Sequence, residues 1–337
     1  MPAPRRAAQI DARRALDRLR ALRNDRGRLR EFAAELLGQT DSPEILPAVL
    51  DILAQQPGSD LREGLHARYA ALEPSQKKRD PGGFLRASII RALQGTASPE
   101  DVPLFERAIA TYEPTPADTN GPAVLRAAGL VALAGIDARG AALHAVPLLA
   151  QAERSSAMTG EPALSAARVL AALGEDTALY LFAELGLTNP LGTNPEVVAE
   201  AIRALTALPA AHLLPLFGLA THSDTVVEAA FIDVVVEHVP DDALTSWLAQ
   251  ALRTTRSDDL YAFAVTSIVA KHGDHLLGLL EGLAASETVL ARLKTLDSSL
   301  ALLSADPRVR ASLATVRAKL PAASEATATA ASRRPAG

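Results

Sequence analysis

Apolar positions along this chain recur at intervals of three and four residues, the spacing that lines one face of an α-helix. Valine, isoleucine and threonine never alternate with polar residues over a stretch long enough to make a strand. The pattern also returns at longer range. Phe84-Leu85-Arg86-Ala87-Ser88-Ile89-Ile90-Arg91-Ala92-Leu93 aligns with Val124 to Leu133 forty residues on, and that segment with Leu164 to Leu173 after another forty. Three, six and nine residues past each start stand Ala87, Ile90 and Leu93, then Ala127, Leu130 and Leu133, then Ala167, Leu170 and Leu173. Looser copies follow at Val198, Ala201, Ala204 and Leu208, at Val226, Ala229, Ile232 and Val235, and at Tyr261, Ala264 and Ile268.

A second phrase marks where helices begin. Ser42-Pro43-Glu44-Ile45-Leu46-Pro47 and Ser98-Pro99-Glu100-Asp101-Val102-Pro103 share a Ser N-cap, a Pro in the first turn and an acid favoured by the helix dipole. A Pro in an apolar setting recurs at Pro147 and Pro215. Alternating the two signals gives helix pairs over residues 12–38, 43–95, 99–135, 141–174, 176–208, 210–239, 241–272 and 274–303, closed by a helix near 307–320. The second pair is too long, and its excess, an insertion over 57–82, holds an extra helix through Leu61, Leu65, Tyr69 and Leu72. Thr111 to Pro122, rich in Pro, Thr and Asp, reads as an exposed loop, and 321–337 as a disordered tail.

A helix opened by Pro, then one with an apolar-Arg-x-Ala face, repeated at about forty residues, resembles the HEAT and armadillo class. The resemblance runs from about Ala12 to Leu320. It implies an all-α fold, a right-handed α–α superhelix of about eight antiparallel pairs, forming a single array over residues 1–320. It implies no one activity, since such stacks serve as adaptors, transport receptors, regulatory subunits and, in some groups, enzymes.

Composition agrees with the array. Hydrophobic residues make up 48% but aromatics only 4%, the apolar share being carried by Ala and Leu. There is no Cys, which excludes disulfides, thiolate zinc sites and cysteine nucleophiles. The longest apolar run, Ala127 to Ile136, is about half of what a bilayer crossing needs. The arginine pairs Arg5/Arg6 and Arg13/Arg14 precede no apolar stretch of the kind a secretion signal carries, so the expected location is cytoplasmic.

The net charge of −5 conceals an asymmetry: residues 1–30 hold ten Arg against three Asp, which leaves −12 for the remainder. Ile10, Ala15, Leu16, Leu19 and Leu22 fall at helical spacing among those arginines and read as a cap on the first pair. The turn Lys77-Lys78-Arg79 precedes Arg86 and Arg91, and these five residues form the candidate partner-binding patch. Arg126, at the same repeat position as Arg86, reads as a rung that bonds a turn of its own or a neighbouring pair. Along the second helix of each pair the polar residues run from Arg86, Arg91, Arg126 and Arg168 to Glu200, Arg203, Glu228, Asp233 and Glu237, grading from basic to acidic.

Catalytic signals are absent. His272-Gly273-Asp274-His275 has a spacing that two metal ligands can use, but Gly273-Asp274 reads as a turn and no third ligand is near. HEAT-like iron hydroxylases carry repeated His-Glu dipeptides, and here Glu237-His238 has the reverse order. HEAT-like DNA glycosylases are expected to show a basic face with several aromatics, whereas the single Trp, Trp247, follows Asp241 and Asp242 and reads as core packing. No phosphate-binding Gly loop or nucleophile elbow occurs.

The expectation is therefore a non-catalytic scaffold or adaptor, without cofactor or metal, that binds a protein partner through the groove lined by the second helices. Nucleic-acid binding through Arg13, Arg14, Arg18, Arg20 and the Lys77 to Arg91 region is the alternative. A lyase or glycosylase of HEAT-like build has no residues here to carry it. The register itself is testable: Ala167→Phe should overpack the seam between pairs and destabilise the fold by about 1–3 kcal/mol. An unchanged thermal melt would refute the alignment.

Overall fold

In the computed structural model the described residues are 11–40, 42–73, 80–113, 122–152, 160–220, 224–271 and 273–332. They form eighteen α-helices and no β-ladder, and they fall into two compact units, residues 1–175 and 176–337.

The first unit holds α1 (Ala12–Ala21), α2 (Arg26–Gln39), α3 (Leu46–Gln55), α4 (Arg62–Leu72) and α5 (Phe84–Gln94). It continues with α6 (Val102–Ile109), α7 (Ala123–Ala134), α8 (Ala138–Leu149) and α9 (Ala163–Leu173). Helices α3, α5, α7 and α9 pack in series as one layer, and each also packs on a helix of the other layer: α2 on α3, α4 on α5, α6 on α7, α8 on α9. Charged contacts stitch the second layer. Arg68 of α4 donates to the Leu37 carbonyl of α2 at 2.6 Å, Arg62 of α4 meets Asp101 before α6 at 3.0 Å, and Arg107 of α6 lies 3.5 Å from Glu73 after α4.

This arrangement corrects the sequence reading of α4. The helix within 57–82 is no insertion inside a pair; it is the partner of α5 and sits in line with α2. The phrase Ser-Pro-Glu opens α3 in one layer and α6 in the other, because it reports a helix start and carries no information about which layer the helix joins.

Close packing follows from small side chains. Within α7, Ala127, Ala128, Gly129 and Ala132 are buried, and a Cβ built on Gly129 would stand 2.9 Å from the Phe105 carbonyl oxygen of α6. Gly83, which precedes α5, has φ +71°, and a Cβ there would meet Leu125 and Pro122 side chains at 2.9 Å. Both the left-handed backbone and the contact demand glycine.

The second unit comprises α10 (Asp176–Thr188), α11 (Pro195–Arg203), α12 (Ala210–Leu219), α13 (Thr225–Glu237) and α14 (Asp242–Thr254). After these come α15 (Asp258–Lys271), α16 (Asp274–Ser286), α17 (Leu290–Ala301) and α18 (Pro307–Ser332). Helices α11, α13, α15 and α17 pack in series, as do α10, α12, α14, α16 and α18. Between the layers, rings act as spacers: Phe217 of α12 meets Phe231 of α13 and Trp247 of α14 edge-on, both at 4.6 Å between centroids. Trp247, read from the sequence as core packing, is half-buried against these two rings.

Helix α18 continues to Ser332, through a segment whose small polar composition led to an expectation of disorder from Pro321 onward. Six alanines in residues 321–332 supply helix propensity, and Pro321 breaks one backbone bond without ending the helix. Residues 333–337 lie outside the described residues.

Two glycines make opposite predictions. Gly129→Ala should destabilise by about 1–3 kcal/mol because a backbone carbonyl blocks the methyl. Gly278→Ala, in the middle of α16 with nothing within 4 Å of the built Cβ, should stabilise by about 0.5–1 kcal/mol. Chemical denaturation of both variants checks the pair.

Candidate functional site

Of the five residues of the candidate basic patch, the structure describes Arg86 and Arg91. Lys77, Lys78 and Arg79 lie outside the described residues, and Arg91 is exposed in the last turn of α5. Arg86 is only 1% exposed. Its Nε donates to Asp80 at 2.9 Å, and Nη1 and Nη2 donate to the two Glu113 oxygens at 3.0 Å each. Asp80 also accepts the Leu85 and Arg86 amides, so it caps α5 while holding the guanidinium. Burial opposes the charge on Arg86, and its bonds to Glu113 and Asp80 outweigh that penalty and push the pKa further up. Arg86 is therefore an internal brace that ties the start of α5 to the segment after α6, and it offers no cation to a partner.

Two other arginines act in the same way. Arg126 of α7 is buried and donates to the Ile109 carbonyl at the end of α6, the rung read from its repeat position. Arg292 of α17 donates to Asp258 at 3.0 Å and to the Thr255 carbonyl at 2.6 Å, with its guanidinium over the Tyr261 ring. With Arg86 and Arg126 enclosed, the basic end of the expected charge gradient retains Arg91 and Arg168 as its exposed members.

In the second unit the face of α11, α13 and α15 carries an ion-pair ladder. Arg203 meets Asp233 at 2.8 Å, and Lys271 meets Glu237. Glu228, in the first turn of α13, has its carboxyl pushed up by burial and then by the charge of Asp224.

The N-terminal arginines Arg13, Arg14, Arg18, Arg20, Arg23, Arg26 and Arg28 are all exposed. Ala15 and Leu19 of α1 are buried and α1 packs on α2, the placement of a cap. Asp11, Asp17 and Asp25 pair locally with Arg14, Arg20 and Arg28.

Among the described residues no three His, Asp or Glu side chains are grouped to hold a metal ion, and His272 lies outside them. A cleft of about 400 Å³ between α2 and α4 is lined by Ala34, Leu37, Gly38, Gly64 and Ala67. Its charged members, Asp60 and Arg68, are engaged by Arg30 and by the Leu37 carbonyl.

The feature that sequence reasoning missed is apolar. On α10, Leu181 and Leu185 are each 56% exposed, and Leu191 in the following connection is 83% exposed. Leu214 and Leu219 on the neighbouring α12 are also exposed. Among the described residues of this unit the other exposed large apolar side chains, Val239, Phe263, Val289 and Leu302, lie outside α10 and α12. Helices α10 and α12 carry Asp176, Glu184 and His212 and no Lys or Arg. The signal was available, since α10 carries leucine or aromatic residues on more than one face: Leu179, Tyr180, Leu181, Phe182, Leu185 and Leu187.

No family model, curated protein or solved structure matches the chain. Nor is any helix of the described residues long and apolar enough to cross a membrane.

Arg86→Ala should cost about 3–5 kcal/mol by leaving two carboxylates without their cation, whereas Arg91→Ala should stay within about 0.5 kcal/mol; urea titrations compare them. Burial pushes the Tyr69 phenol up to about 12. The folded state thus favours the protonated phenol, and stability present below the ordinary value near 10 is lost as pH rises from there through about 12. Tyr69→Phe should flatten that alkaline loss in melts taken across this range.

Proposed function

We propose that this chain is a non-catalytic protein-binding scaffold of HEAT-like build, and that its partner docks on the outer face of α10 and α12. The uncovered leucines Leu181, Leu185, Leu191, Leu214 and Leu219 carry the reading. Apolar side chains clustered on a surface mark an interaction site, because water-exposed leucine gains free energy when a partner covers it. In the second unit, α11, α13 and α15, part of the series of second helices expected from the sequence to line the partner groove, carry ion pairs that are already made. The alternation of helix layers and the Leu-Arg-Ala seams support the HEAT-like assignment. Among the described residues no three His, Cys, Asp or Glu side chains are grouped to hold a metal ion, so the reading invokes no metal chemistry.

A second reading rests on the exposed arginines of α1 and the start of α2, which present a polyanion-binding edge. Three of those seven are already paired with aspartates, and no exposed aromatic ring accompanies them for stacking on bases. Mobility shift of single- and double-stranded nucleic acid at low salt decides it; lack of binding removes it.

For the scaffold, affinity capture from the native cell should compare the unaltered chain with Leu181→Gln/Leu185→Gln. The double variant should melt as the parent does and lose at least about nine-tenths of the captured partner, a tenfold change corresponding to ~1.4 kcal/mol. Equal capture by both would contradict the proposed face.

A further inference from the structure

We infer that the α10–α12 face takes an amphipathic helix with basic flanks. The inference rests on the docking face proposed above and adds the chemistry of its occupant. Leu181 and Leu185 stand one turn apart on α10, and Leu214 and Leu219 flank the exposed side of the neighbouring α12. A pair at the Leu181–Leu185 spacing accepts the i, i+3, i+4 and i+7 side chains of a further helix laid against it. Gly218 keeps the α12 side low, with nothing within 4 Å of its built Cβ.

Charge selects among occupants. Helices α10 and α12 together carry two carboxylates, Asp176 and Glu184, and no Lys or Arg. Both lie on α10; on α14, the helix packed against α12, Asp242 stands in the first turn and Arg253 in the last. An incoming helix is therefore attracted by Lys or Arg at its margins and repelled by Asp or Glu. A second copy of the same face brings the same carboxylates and repels. An anionic lipid surface repels for the same reason.

The test uses the full chain and two synthetic eighteen-residue peptides with leucines at helical spacing, one carrying lysine and the other glutamate at the remaining positions. Fluorescence anisotropy at low salt should show the lysine peptide bound at least tenfold more tightly than the glutamate peptide, with affinity falling as salt rises. Asp176→Asn/Glu184→Gln should narrow that preference, and Leu181→Gln/Leu185→Gln should weaken the lysine peptide at least tenfold. Equal binding of both peptides, sensitive to the leucine pair, would overturn the charge requirement and leave the docking face standing. Binding unaffected by the leucine pair, or no binding of either peptide, would overturn the inference, and the capture experiment then decides the face independently. Sedimentation of the chain alone completes the test: a dimer lost on Leu181→Gln/Leu185→Gln would replace the basic helix with a second copy as occupant.

Discussion

A single helix pair of this chain cannot cover its own apolar surface, and every other feature depends on how successive helices are brought close enough to do it. In the first unit the seam is made by alanine and glycine: Ala127, Ala128, Gly129 and Ala132 let α7 approach α6 until the Phe105 carbonyl fills the space a side chain would need. In the second unit Phe217, Phe231 and Trp247 fill the space between layers instead. Side-chain size at the seam sets helix spacing, and cohesion comes from neighbour on neighbour rather than from one enlarging core.

Polar chemistry in such a stack is largely spent on holding helix ends and turns. Arg86, Arg126 and Arg292 each reach from a helix of one layer to a turn or a helix end, where carbonyls and carboxylates would otherwise be short of partners. Their enclosure explains why arginine at a repeated position is poor evidence for a binding surface. What is left for a partner is the surface that stacking does not use, and on α10 and α12 that surface is leucine bordered by carboxylates.

Much of the helix layout was legible in the sequence because its causes are local. Asp11, Asp25, Asn194, Asp224 and Asp241 cap α1, α2, α11, α13 and α14, and the helices begin where those residues stand. The layer of α4 was not legible, since a cap cannot say which neighbour a helix meets. Nor was the burial of Arg86, whose second carboxylate, Glu113, lies 27 residues away. Leu181 and Leu185 escaped notice for a related reason: a helix rich in leucine on several faces reads as wholly buried, and only the structure shows which face remains open.

The central claim is that the functional surface is the open leucine face of α10 and α12 rather than the ion-paired face of α11 and α13. Site-specific photocross-linking in the native cell, with the reactive side chain at Leu185 or at the exposed Glu196 of α11, tests it most directly. The account predicts a discrete protein adduct from position 185 and none from position 196. An adduct from 196 alone would contradict it.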